Sequence, residues 1–167
     1  YVNKSSLPKV YGGFNTSLSW KGFDLSAIFA YSIGGYIYNR DITMILHNGS
    51  LEGRDWSTEI LRRWTPDNRY TDVPALSTTS NNWNSASTRF LQNNSYMRLK
   101  NLTLSYNLPK QWISKLSLSS VQVYVQGDNL FTIHRNQGLD PEQGITGITY
   151  YRYPAMRTIS GGINVSF

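Results

Sequence analysis

At 167 residues the chain is long enough for one ordinary domain, and no run in it approaches the roughly 20 apolar residues of a spanning helix. Charged residues are only 16%, yet Lys and Arg outnumber Asp and Glu by 16 to 10, for a formal net charge of +6. With no cysteine, disulfide staples and thiolate metal sites are excluded.

Residues 1–10 read as a loop ending in Leu7-Pro8. No apolar h-region follows Tyr1, so the chain is expected to be either cytosolic or a mature or excised piece of something longer. Residues 11–33 follow with period-two alternation: Phe14, Thr16, Leu18 and Trp20, then Phe23, Leu25, Ala27, Phe29 and Tyr31. Asn15, Ser17, Ser19, Asp24 and Ser26 fall between them. The pattern predicts two strands, near 11–20 and 23–33, joined by Lys21-Gly22. A two-residue turn sets Trp20 opposite Phe23, Leu18 opposite Leu25 and Phe14 opposite Phe29, so the bulky pairs share one face.

Residues 34–88 form a long irregular loop with one expected helix at 57–64. Asp55 or Ser57 caps its start, Pro66 forbids continuation, and Ile60, Leu61 and Trp64 share a face. A third strand is expected near 89–108. There Leu102, Leu104, Tyr106 and Leu108 would share a face with Arg98 and Lys100, so either a bulge near Lys100 switches the phase or the strand has left the apolar zone. A short connector with a helical turn at 111–116 leads to a fourth strand near 121–131. A second long loop, 132–152, precedes the last strand, 155–167, with Ile159, Ile163, Val165 and Phe167 on one face.

Short and long connections alternate, so both long loops emerge at one end of the sheet. A fifty-residue loop is rare in a compact soluble domain, whereas outer-membrane barrels pair short turns with long loops. Aromatic residues support that asymmetry: Trp20, Phe23, Trp112 and Phe167 would lie at one rim, and Tyr31, Tyr36 and Tyr38 near the other. Alternation alone leaves two environments open for the apolar face, lipid or the core of a β-sandwich.

Catalytic and metal chemistry finds little support. His47 and His134 lie far apart in separate loops, where solvation is the ordinary reading. Asp140-Pro141-Glu142 reads as a turn rather than a carboxylate pair. Gly12-Gly13, Gly34-Gly35 and Gly161-Gly162 precede no helix that would cradle a phosphate. The basic residues are scattered, without the stripe and stacking aromatics of a nucleic-acid binder. No enzyme, cofactor or nucleic-acid partner is expected. Asn82, Trp83, Asn84, Trp64 and Tyr70 combine aromatic faces with amides and are the candidate loop contacts for a sugar, a peptide or a partner.

The stretches LPKVYGGFNTSLSWKGFDLSAIFAYSIGG, RFLQNNSYMRLKNLTLSYNLP, VYVQGDNLFT, GLDPE and YPAMRTISGGINVSF occur in one order along nearly the whole chain. On these the sequence resembles the C-terminal part of the SusC/RagA family, the TonB-linked outer-membrane transporters of Bacteroidota. The resemblance implies an all-β fold: the last five strands of an antiparallel transmembrane β-barrel of about 22 strands around a plug, with long extracellular loops, one holding a short helix. It makes Ile163, Val165 and Phe167 an assembly signal read by the barrel-insertion machinery. Phe14, Leu18, Trp20, Phe23, Leu25, Phe29 and Val123 would face lipid. Asn15, Ser17, Ser26, Gln122, Tyr124, Gln126 and Asn164 would face the lumen.

The implied function is that of a barrel-wall segment in an outer-membrane importer of glycan or peptide nutrients. Implied partners are the rest of its own barrel and plug, a SusD-like surface lipoprotein, the TonB system through a missing N-terminal part, membrane lipid, and an oligosaccharide or peptide substrate. The competing expectation is a soluble β-rich carbohydrate-binding module with the same apolar face packed as a core.

Overall fold

The structure is a computed structural model that describes residues 2–47, 51, 53–77, 79, 85–114, 118–142 and 144–167. In chain order its elements are β1 (Val10–Trp20), β2 (Phe23–Ile33), β3 (Tyr36–Asn39), α1 (Arg40–Ile45), 3-10 turns at Thr58–Arg62 and Thr88–Phe90, β4 (Leu91–Asn93), β5 (Tyr96–Asn107), α2 (Lys110–Ile113), β6 (Ser120–His134), β7 (Ile148–Thr149) and β8 (Thr158–Ser166). They divide into two compact units.

The sheet unit comprises Pro8–Gly34, Asn94–Arg135 and Pro154–Phe167. Its five strands are antiparallel in the order β1-β2-β5-β6-β8, which leaves β1 and β8 as edges. The opening hairpin has the register that alternation demands: Trp20 pairs with Phe23, Leu18 with Leu25, Thr16 with Ala27 and Phe14 with Phe29. Lys21 and Gly22 both take positive φ, +47 and +88, as a type I′ turn requires. The end of β2, the start of β5, the end of β6 and the start of β8 lie on one side of the sheet, and there the two long connections leave and rejoin it.

The phase conflict in the third strand resolves as a bulge at Lys100. Ile28 pairs with Asn101 but Phe29 pairs with Leu99, so Lys100 is the extra residue against β2. Against β6 the mismatch reverses, because Leu99 pairs with Phe131 and Asn101 with Asp128. The surplus there falls on Asn129-Leu130, where Asn129 takes φ +52, a conformation Asn tolerates better than most residues. The bulge keeps Met97 and Leu99 on the same face as Leu102, Leu104 and Tyr106. It also turns Arg98 to the other side, where its Nε donates to Thr132 Oγ1 at 2.9 Å.

The loop unit comprises Tyr1–Leu7, Gly35–Asn93 and Asn136–Tyr153. Strand β3 pairs antiparallel with β4 and parallel with β7. A small core of its own, including Ile37, Leu46, Ile60, Val73 and Phe90, is buried. The strand expected over 89–108 is therefore divided. Its first part is a 3-10 turn and the short β4, which serves the loop unit, and only β5 belongs to the five-stranded sheet.

The helix expected at 57–64 is a 3-10 turn of five residues, capped by the Ser57 side chain accepting from the Glu59 N–H. At three residues per turn only Ile60 points inward, and Leu61 and Trp64 are exposed rather than packed beside it. The chain then doubles back: the Trp64 N–H donates to Val73 O, and the Asn68 side chain donates to the carbonyls of Arg62 and Arg63. Helix α1 was not legible in advance. Asn39 caps it by accepting from the Ile42 N–H at 3.1 Å, and its own amide donates to Gln137 O across the unit.

Candidate functional site

The sheet has two chemically opposite faces. One carries Phe14, Leu18, Trp20, Phe23, Leu25, Phe29 and Val123, all sharing a side by register. Phe14 and Phe29 stack with centroids 4.7 Å apart, and Phe23 packs 4.5 Å from Tyr106 near the short turn. Most of this face is open. Leu18 is 66% exposed, Leu25 is 39% exposed, and Leu104, Phe131 and Ile133 are exposed beside them. Ile163 and Val165 continue the same face on β8, opposite Val123 and Val121, and Phe167 follows exposed at the end. The face extends across all five strands, far beyond the scattered single apolar residues of an ordinary soluble surface.

The other face is a web of side-chain hydrogen bonds. Asp24 accepts from Ser19 Oγ and, at 2.7 Å, from Asn107 Nδ2. Asp128 accepts from Asn101 Nδ2 at 2.8 Å and from Gln126 Nε2 at 3.3 Å. Gln122 links β5 to β8, donating to Ser105 Oγ and accepting from Asn164 Nδ2. Two carboxylates on a strongly basic unit are thus held by amide and hydroxyl donors rather than by cations. A fixed network of this kind stays satisfied while facing water or a polar neighbour.

Two open clefts of the loop unit bear on the expected contacts. One, of about 580 Å³, is lined by Arg62, Asn68, Tyr70, Thr71 and Asp72. Tyr70 is fully exposed at its edge. Arg62 approaches Glu59 at 3.5 Å and Asp72 at 3.8 Å, exposed pairs that orient the guanidinium more than they stabilise the fold. The second cleft, of about 390 Å³, lies beside α1 and is lined by Asp41, Met44, Ile45, Gly53, Arg54, Asp55 and Tyr151. Nothing local in the sequence marked it, since its walls come from segments a hundred residues apart.

The expected loop contacts are not gathered into one site. Tyr70 lines the first cleft, Trp64 is exposed but lies outside its lining, and Asn82, Trp83 and Asn84 lie outside the described residues. His47 departs from the expected solvated loop histidine. It is fully buried, its Nδ1 accepts from the Leu51 N–H, and its ring lies 5.0 Å from Trp56. Asp140 does make the turn expected of it, accepting from the Glu142 N–H at 2.9 Å. Among the described residues no group of three or more His, Asp or Glu could hold a metal, and no helix is long and apolar enough to cross a membrane.

No protein-family model matches the chain. Individual relatives do. Over 166 residues it is 34% identical to TonB-dependent receptor P3 of Formosa agariphila, a match covering 93% of this chain and 16% of that receptor. It is 27% identical to TonB-dependent receptor SusC of Bacteroides thetaiotaomicron, over all of this chain and 16% of SusC. Among solved structures, the RagAB peptide importer in its open-open state aligns with 99% of this chain and 18% of its own, at TM-score 0.87 and 35% identity. The chain belongs to the SusC/RagA family. As a SusC/RagA chain it spans about a sixth of the length of these relatives, which are receptors and an importer rather than enzymes. The likeness to RagAB holds over nearly every residue, loop unit and sheet unit alike.

Proposed function

We propose that this SusC/RagA segment is part of the wall of a TonB-dependent outer-membrane importer of glycan or peptide nutrients, forming the last five strands of a barrel of about 22. The observation that carries the proposal is the apolar face, left open across all five strands while its reverse is hydrogen-bonded and polar. That combination suits a wall with acyl chains on one side and a watery, plugged lumen on the other. It speaks against the soluble carbohydrate-binding module, which needs a second layer over Leu18, Leu25 and Ile163.

In this reading Phe14, Leu18, Leu25, Phe29, Val123 and Ile163 meet lipid. Asn15, Ser17, Ser26, Gln122, Tyr124, Gln126 and Asn164 line the space beside the plug. The open edges β1 and β8 pair with the rest of the barrel, and Ile163, Val165 and Phe167 present the assembly signal. Trp64, Tyr70 and the cleft beside Tyr70 are the candidate contacts for cargo or a SusD-like lipoprotein, as are Asn82, Trp83 and Asn84 from the sequence alone. TonB acts from the opposite side through the plug.

The test is Leu25→Arg in the full-length transporter. Leu25 is the third residue of the eleven in β2, and a charge on the lipid face of a barrel costs up to about 2–4 kcal/mol, most at the bilayer midplane. Outer-membrane levels, read by fractionation and immunoblot, are expected to fall sharply. Wild-type levels of folded Leu25→Arg protein would remove the lipid-facing assignment.

A further inference from the structure

The importer reading leaves the cleft beside α1 unassigned. Its wall contains an unusual residue: Tyr151 holds a left-handed backbone, φ +47, though it has a bulky side chain. Such a conformation persists where the surroundings over-determine it. Here the Tyr151 N–H donates to Asp41 Oδ1 at 2.9 Å, and Arg54 Nη1 donates to the phenol oxygen at 3.2 Å. The ring packs 4.3 Å from that of Tyr150, which in turn lies 4.8 Å from the Arg40 guanidinium. With all these holds Tyr151 is still 62% exposed. It is a fixed aromatic surface facing solvent, not a buried packing residue.

The rest of the cleft is chemically mixed. Met44 and Ile45 supply an apolar strip, and Asp41, Arg54 and Asp55 supply charges of both signs. Among the described residues none of these three charged groups makes an ion pair. A neutral sugar could lie on the Tyr151 ring but would strip water from two carboxylates and a guanidinium without returning charge to any of them. A zwitterionic ligand returns both signs. An ammonium meets Asp41 Oδ2 or Asp55, a carboxylate meets the remaining guanidinium nitrogens of Arg54, and an aliphatic side chain covers Met44 and Ile45.

We infer that the Tyr151 cleft is a subsite for short oligopeptides with free termini or basic side chains. The inference rests on the importer reading and deepens it by naming the class of cargo. The test is isothermal titration of the full-length, detergent-purified transporter with a pentapeptide of Lys, Leu and Ala with free termini, and with maltopentaose as the neutral comparator. The wild type is expected to bind the peptide. Asp55→Asn and Arg54→Gln should each weaken binding about tenfold, the size of one charge-assisted hydrogen bond. Asp67→Asn, which removes a carboxylate outside the cleft, should leave it unchanged. No peptide binding to the wild type, unaltered affinity in both cleft variants, or maltopentaose binding that those variants weaken would each overturn the inference. None of these results touches the importer reading, which stands or falls separately on outer-membrane assembly of Leu25→Arg.

Discussion

Phe90 and Leu18 are both large apolar residues, yet Phe90 is buried to 1% in the loop unit and Leu18 stands 66% exposed on the sheet. Charge divides along the same line. The segments of the sheet unit carry eight Lys and Arg against two Asp and Glu, whereas those of the loop unit carry eight against eight. The whole formal charge of +6 therefore belongs to the sheet unit. Within it Lys9, Lys21, Arg135 and Arg157 sit at the turn or at strand ends and Lys110 opens α2, so that among the described basic residues only Arg98 and Lys100 lie inside a strand. The loop unit is built as water demands, with apolar residues inside and balanced charges outside. The sheet unit keeps most of its basic charge at its margins and leaves its apolar side open, the arrangement suited to a solvent of acyl chains.

If the two units answer to different solvents, changes in each should fail differently. The largest effect is expected from exchanging two side chains, Arg98→Leu with Leu99→Arg. Because Lys100 is the extra residue, position 99 shares the apolar face with Phe29 and position 98 the polar one, so the exchange carries the charge to the apolar face and the leucine to the polar one. A buried charge together with lost apolar contact costs roughly 5 kcal/mol or more. The full-length protein should then fail to give the heat-modifiable folded band of a barrel on cold gels; a normal band would show that β5 does not depend on this register. Next is Phe90→Ala, which removes the centre of the loop core at a cost of about 3–5 kcal/mol. Hydrogen exchange should quicken in β3, β4 and α1 while β1 and β2 stay protected. Equal loss of protection in both units would dissolve the distinction between them. Smallest is Asn39→Ala, which takes away the α1 cap and the link to Gln137 O, worth about 1–2 kcal/mol. Limited proteolysis within residues 40–47 should become faster, with no change in outer-membrane level.

The hairpin at residues 10–33 was readable because its period, turn residues and register all follow from neighbours in the chain. The break near Lys100 was visible as a conflict of phase, but its resolution depended on Ile28, Phe29 and Asp128, which lie elsewhere in sequence. The loop unit was almost silent. Its parallel pairing joins Tyr38 to Ile148, its buried histidine looks like any loop histidine, and the cleft at Tyr151 depends on Asp41 and Arg54 arriving beside it. The division follows from the range of the forces. Alternation and turn chemistry act over a few residues and are written locally, so the sequence alone determined the opening hairpin, the alternation that makes the sheet two-sided and the family resemblance. Burial of His47, the small core around Phe90 and the strain at Tyr151 arise only when distant segments close on one another, and those the tertiary structure decided.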